Sequence, residues 1–299
     1  RNRSFESELT RIDTSAVTRI SILPRNNGEM VNLIKKNKQW YVGQGQHEYN
    51  ADPSAIKSML TTLSSMRATR IASNSKDQWK TYEVDDTSAT HILVNEGKKL
   101  TGDLYLGKFS YQQPKNRNPY NYQQQVKMTS YVRKGGDKKV YAVDGMIAMT
   151  FNREASDFRN RALIRSDIRK WDHLVVKNPA GSFEFSKIND RWMIDGESAD
   201  SATVTAYLTS LAWLNSSAFI DGSMLTSQTP SHSLTIDGEN MGAPIKINAF
   251  PADTTIHYAI TSSLNEGSYF SGNENGLFDK IFKQKDYFLS AKESTSGIE

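Results

Sequence analysis

Short runs of alternating apolar and polar residues, separated by Asn, Gly and Pro turns, fill most of this chain. Such period-two runs predict a meander of antiparallel strands. Two stretches follow one plan. In the first, Val17, Ile20 and Ile22 lead through a turn at Asn26-Asn27-Gly28 to Val31 and Leu33, then a polar hinge at Lys35 to Lys38 and Trp40-Tyr41-Val42. In the second, Trp171, Leu174 and Val176 lead through Pro179-Ala180-Gly181 to Phe183 and Phe185, then Asn189-Asp190 and Trp192-Met193-Ile194.

A helix is predicted after each. Asp52 and Asp200, 148 positions apart, are placed to cap the first turn, and Pro53 suits the first helical position. The stripe Ile56, Met59, Leu60, Leu63, Met66 matches Val204, Tyr207, Leu208, Leu211, Leu214, with spacings of three and four that put each set on one helix face. Ile71 and Phe219 start a further strand. The next strands align at an offset of 141: His91 to Val94 with His232 to Thr235, Leu104 and Leu106 with Ile245 and Ile247, Phe109 with Phe250. Return strands follow at Tyr131-Val132 and Val140 to Val143, or at Tyr258 to Ile260 and Tyr269-Phe270. Each copy ends in a short amphipathic segment, Met149 to Ile164 and Leu277 to Leu289. The expected fold class is therefore α+β, a tandem duplication of an antiparallel-sheet unit with one packed helix and a short C-terminal helix per copy, divided as 1–166 and 167–299.

The change of offset makes the linker after the first helix seven residues longer than its counterpart. A larger difference lies further on: the first copy carries 14 extra residues between Leu106 and Tyr131. This insert, about 110–130, holds three tyrosines and three basic residues and no acid. Tyr111, Lys115, Arg117, Tyr120 and Tyr122 are its candidate contact residues, because exposed Tyr among Asn and Gln is adaptable contact chemistry. A hairpin tip without a ligand explains the composition too.

The net charge of +4 conceals a division: residues 1–165 carry 27 Lys and Arg against 16 Asp and Glu, and residues 166–299 carry 10 against 17. The basic first half suits an anionic membrane surface or an acidic partner, or is a solvated surface. Nucleic acid is not expected, since the basic residues are scattered and no recognition motif occurs. Arg161, Arg165 and Arg169 stand four apart, a spacing that on a helix aligns three guanidinium groups for phosphate headgroups or for acids of the second copy.

No run approaches the about 20 apolar residues of a spanning helix, and the chain has no cysteine. The first residue is Arg1, so an upstream tag, signal peptide or membrane anchor is expected to have been removed. His47-Glu48 lacks the second histidine of a zinc-protease motif, and Gly43-Gln44-Gly45 lacks the third glycine of a dinucleotide loop and reads as a strand-end turn. Asp195, Glu197 and Asp200 do not follow a calcium loop. His91 and His232 read as structural histidines at strand starts, and Trp40 and Trp192 as core residues. No catalytic residue, cofactor or metal is assigned, and the reading is non-enzymatic.

Several segments resemble the bacterial family of domains of unknown function numbered 4340. They are the hairpins ending in Trp40 and Trp192, the helix starts Ala51-Asp52 and Ala199-Asp200, the Leu-x-Leu-Gly strand at Leu104 to Gly107, the strand Tyr131-Val132-Arg133, and the join Asp157-Phe158-Arg159-Asn160-Arg161-Ala162-Leu163. The resemblance implies an extracytoplasmic, periplasmic domain held by an N-terminal membrane anchor and encoded beside ABC transporter components of the gliding-associated type. Its partners would be membrane transport proteins. The expected function is thus an interaction module of a transport system; the alternative is a small-ligand or glycan-binding protein using a cleft between the copies.

Overall fold

The computed structural model describes residues 7–25, 28–112 and 127–289. Its contacts divide the chain into two units, one ending at Asn160 and the next beginning at Arg161. Among the described residues each unit holds one antiparallel sheet of nine strands.

The first sheet comprises β1 (Val17–Leu23), β2 (Val31–Lys36), β3 (Gln39–Gln44), β4 (His47–Asn50), β5 (Ala68–Ser73), β6 (Thr90–Glu96), β7 (Lys99–Gln112), β8 (Lys127–Lys134) and β9 (Val140–Asp144). The second comprises β10 (His173–Asn178), β11 (Gly181–Ile188), β12 (Arg191–Ile194), β13 (Glu197–Ser198), β14 (Phe219–Ile220), β15 (His232–Asp237), β16 (Ile245–Pro251), β17 (Tyr258–Ser262) and β18 (Tyr269–Ser271). The spatial orders are β4-β3-β2-β1-β6-β7-β8-β9-β5 and β13-β12-β11-β10-β15-β16-β17-β18-β14, the same sequence of steps in both.

Each sheet buries one face under a helix. In the first unit the helix Pro53–Ser65 starts at Asp52, whose carboxylate accepts the Ser54 and Ala55 N–H groups at 2.7 and 3.3 Å. Ile56, Met59 and Leu63 of its buried stripe meet Ile20, Leu33, Ile92, Val94 and Leu106. In the second, the helix Ser201–Leu211 starts at Asp200, which accepts the Thr203 N–H at 2.6 Å, and Val204, Tyr207, Leu208 and Leu211 cover Phe185, Leu234 and Ile247. Both units also close alike at the end. The Asp52 N–H donates to the Phe158 carbonyl at 2.8 Å and the Asp200 N–H to the Phe288 carbonyl at 2.9 Å, with both phenyl rings fully buried.

The short C-terminal segments are less helical than the periodicity predicts. They are helical turns, Ala148–Phe151 and Leu277–Ile281, each followed by a 3-10 turn ending at Phe158 or Phe288. At Arg159 the chain leaves the 3-10 turn. Arg159 bridges to Ala51 in the first unit, and in the second Ala162 bridges to Asn215 while the Leu163 and Ile164 N–H groups donate to the Leu214 carbonyl. Residues 161–164 pack with the second unit, so the unit boundary falls six residues before the expected one.

Candidate interaction surface

The two sheets differ most at β7, which has 14 residues where β16 has 7. Its pairing with β8 shifts between Leu106 and Phe109, so that Gly107 and Lys108 stand opposite Tyr131 as a β-bulge. Gly107 is required here. A Cβ at this position would lie 2.1 Å from the Tyr82 carbonyl oxygen, so only a bare backbone lets the chain at 82–84 cross so close.

Beyond the bulge β7 and β8 continue as a two-stranded arm. The pairings Phe109↔Ser130 and Tyr111↔Met128 put these side chains on the same face as buried Val132. The body of the unit covers Ser130 on this face but leaves its neighbours in solvent: Phe109 is 47% exposed, Tyr111 64% and Met128 37%. Met149, on the helical turn after β9, is also exposed and shares with Phe109, Arg25, Gly107, Ala148 and Asn152 a small cavity of about 200 Å³. The arm's other face carries Ser110, Thr129 and Lys127, with Lys108 at the bulge holding its ammonium 5.9 Å from the Tyr82 ring. An apolar stripe of this kind on an otherwise polar surface is contact chemistry for a protein.

The base of the arm is clamped by the linker after the first helix. Lys76–Tyr82 forms a helical turn on the outer face of the sheet, and Trp79, Tyr82 and Val84 make a second small core with Tyr131, Val140 and Ala142. Arg133 is at its centre, 4% exposed, with its guanidinium 3.8 Å from the Trp79 ring centre and 3.6 Å from that of Tyr105. Its Nε donates to the Val84 carbonyl at 2.9 Å and its Nη2 to Asp86 at 2.8 Å. Both faces of the ion are thus aromatic and its edges are hydrogen-bonded, which is how a buried guanidinium is held without loss. On the far side of Tyr105 the His91 ring stacks at 4.0 Å and bonds Asp103 through Nε2 at 2.8 Å. Burial first, then the carboxylates of Asp86 and Asp103, raise the Tyr105 hydroxyl above its ordinary pKa. Asp85 ends the linker. Its partial burial alone would raise its pKa, but the hydroxyl of Thr87 and the N–H groups of Thr87 and Ser88 outweigh that and hold it at about 2.

A cavity of about 600 Å³ lies at the ends of β1 to β3. Arg25 and Arg153 line it together with Glu29, Glu154 and Asp157, a mixed set that favours no ligand charge. Arg159 lies near it, with its guanidinium over the Tyr49 ring at 3.5 Å and Nη1 donating to Gln44; burial lowers its pKa to about 10.

Of the contact residues expected from sequence, Tyr111 is on the arm, and Lys115, Arg117, Tyr120 and Tyr122 lie outside the described residues. The helical alignment of Arg161, Arg165 and Arg169 is corrected. Residues 161–164 form no helix, bend at Leu163 and are held by Leu214 and Asn215, and only Ile168–Lys170 makes a single 3-10 turn. Arg169 pairs with the adjacent Asp167 in a self-contained turn. His91 and His232 coincide at the 141 offset, but β6 buries Thr90, Ile92 and Val94 while β15 buries His232, Leu234 and Ile236, so the strands are one residue out of register there and the two histidines face opposite ways. His91 lies on the outer face, and His232 is buried among Tyr258, Phe278 and Phe282, where desolvation lowers its pKa. Asp195 and Glu197 are bridged by Lys285 at 2.8 and 3.6 Å, and Asp200 caps its helix. Among the described residues no group of three His, Asp or Glu side chains is placed to hold a metal ion, and no helix is long and apolar enough to cross a membrane.

Sequence reasoning reached the arm through the length difference but missed the Arg133 clamp, whose signal was Arg133 itself in the Tyr-Val-Arg strand, with Gly107 in the Leu-x-Leu-Gly strand. A family model described as domain of unknown function (DUF4340) matches residues 40–234, and the chain belongs to that family. No curated protein and no solved structure matches the chain.

Proposed function

We propose that this DUF4340 chain is a non-enzymatic interaction module, and that the β7–β8 arm of its first unit is the surface that docks a partner. The single observation that carries the reading is the stripe Phe109, Tyr111 and Met128, left in solvent on an arm that the second sheet does not have. Isolated exposed apolar residues are ordinary, whereas a contiguous set on a rigidly based hairpin forms the aromatic centre that protein interfaces use. The resemblance supplies the class of partner, a membrane transport protein of the ABC type, and the setting, an extracytoplasmic domain tethered to the membrane. The basic first half, with a net +11 over residues 1–165, favours an acidic partner surface or anionic lipid nearby.

We further infer that the two units arose by tandem duplication. The identical strand order, the Asp52 and Asp200 caps and the Phe158 and Phe288 carbonyls that accept from them support it. On this reading one copy kept the plain scaffold and the other gained the contact arm.

The test is crosslinking and mass spectrometry on the full-length protein in its own membranes, with wild type beside a variant carrying Phe109→Ser, Tyr111→Ser and Met128→Ser. Recovery of transporter subunits should fall more than tenfold in the variant. Equal recovery from both would remove the arm as the docking surface.

A further inference from the structure

We propose that the arm binds its partner by strand addition: an extended partner segment, apolar and acidic at alternate positions, pairs with the open edge of β7 beside Phe109 and Tyr111. The proposal rests on the interaction-module reading and specifies how the contact is made.

The edge is open because β6 ends early. Its pairing with β7 stops at Thr90↔Leu106, and among the described residues no other segment makes a backbone hydrogen bond to 108–112 on that side. Which groups face outward follows from the ladder. The Met128 carbonyl accepts from the Gly145 N–H, on the β9 side. Alternation then turns the Thr129 main chain toward β7, and the pairing Ser110↔Thr129 turns that of Ser110 toward β8. The N–H and C=O groups of Phe109 and Tyr111 therefore point to the open edge, an unpaired row that is a template for another strand.

The second unit has the same edge filled. Ala249, paired with His232 and Ile260, takes the place of Leu106, paired with Thr90 and Val132; beyond it, without a bulge, Pro251 opposite Tyr258 takes the place of Phe109 opposite Ser130. There the chain itself supplies the added segment. Thr226 N–H donates to the Pro251 carbonyl at 2.9 Å and Asp253 N–H to that of Met224 at 3.2 Å, with Leu225 bridged to Ala252. In the first unit the corresponding linker crosses the sheet face over Gly107 instead. The edge that the second unit satisfies internally is left for another chain.

The arm also sets the composition of its occupant. A strand added here lays alternate side chains beside Phe109, Tyr111 and Met128, which favours apolar residues. The intervening side chains come out on the face of Lys108 and Lys127, which favours acids.

The probe is a fluorescein-labelled peptide, Glu-Val-Glu-Leu-Glu-Val-Glu with blocked ends, titrated into the whole chain and followed by anisotropy. Two variants separate backbone from ring. Tyr111→Val removes the ring and keeps the N–H, and Tyr111→Pro removes both. Far-UV circular dichroism confirms that both variants are folded. Strand addition requires binding by wild type and an affinity at least tenfold weaker for Tyr111→Pro than for Tyr111→Val. A peptide methylated on its central amide nitrogens should bind wild type at least tenfold more weakly than its parent, whatever the folding of the variants. Equal affinities in either comparison, or no binding at millimolar peptide, would overturn the proposal. The same two variants in the membrane crosslinking distinguish the two readings: equal partial loss of transporter subunits keeps side-chain docking and removes strand addition, and full recovery from both removes the docking reading itself.

Discussion

The linkers that follow the two long helices start from equivalent places and end on different surfaces. In the second unit the chain makes one turn at Gly222–Met224 and runs extended along β16. In the first the linker is longer, and it folds onto the face of the sheet, where Trp79 and Tyr82 close over Tyr131 and Arg133. A sheet has a face and an edge to protect, and one short linker covers only one of them. Covering the face gave the first unit a second core and a buried cation, and left the edge of β7 open. Two sheets with the same strand order are thereby made into a closed scaffold and a scaffold with an accessible edge.

The strongest challenge to this comparison is at the shared closure. Phe158→Ala and Phe288→Ala each empty a fully buried site, and each should cost about 3–5 kcal/mol. Denaturant unfolding with amide exchange read separately over each unit checks this; a cost below about 1 kcal/mol in one unit would show that its last residues are not part of the common scaffold. A smaller effect is expected at the point of divergence. Gly107→Ala pushes against the Tyr82 carbonyl and should cost about 1–3 kcal/mol, with faster exchange at Val84. The position matched by strand pairing is Phe250, next to Ala249, where a side chain is accommodated and the linker runs along the edge instead. An unchanged unfolding midpoint for Gly107→Ala would mean that the crossing is loose.

The smallest effects are in pH. Asp85 is held at about 2, below its ordinary value, so its stabilising contribution is present above about pH 4 and is lost as pH falls through 2. After allowance for solvent it is about 1–2 kcal/mol. Burial lowers the pKa of His232, so the second unit loses stability earlier, as pH drops below about 6.5 toward the lowered value. Amide exchange between pH 7 and 5 should therefore quicken in the second unit first, and His232→Phe should remove that dependence. Quickening in the first unit alone would reverse the assignment.

The alternation of apolar residues placed the strands, and the three-and-four spacing placed both long helices, because both patterns record which side of a local element is buried. Asp52 and Asp200 were legible for the same reason, as capping is local. Three features were not. The spacing of Arg161, Arg165 and Arg169 suggested a helix, but no apolar stripe accompanies it, and bonding to Leu214 holds the chain instead. His91 and His232 looked equivalent because sequence offsets do not resolve the one-residue slip that reverses a strand's faces. The open edge depends on where a linker goes after it leaves the helix, which is decided by distant residues such as Gly107 and Arg133.

The bond from each capping aspartate's N–H to a phenylalanine carbonyl also bears on the order of synthesis. The helix at Pro53–Ser65 is made early, yet the group that completes its entry is Phe158, at the end of its own unit. On a ribosome the first half waits for its last turn before it can lock, and the second half then repeats the cycle with Phe288. A stalled or truncated chain that stops short of either phenylalanine leaves a nearly finished unit with its latch undone, a ready target for proteolysis.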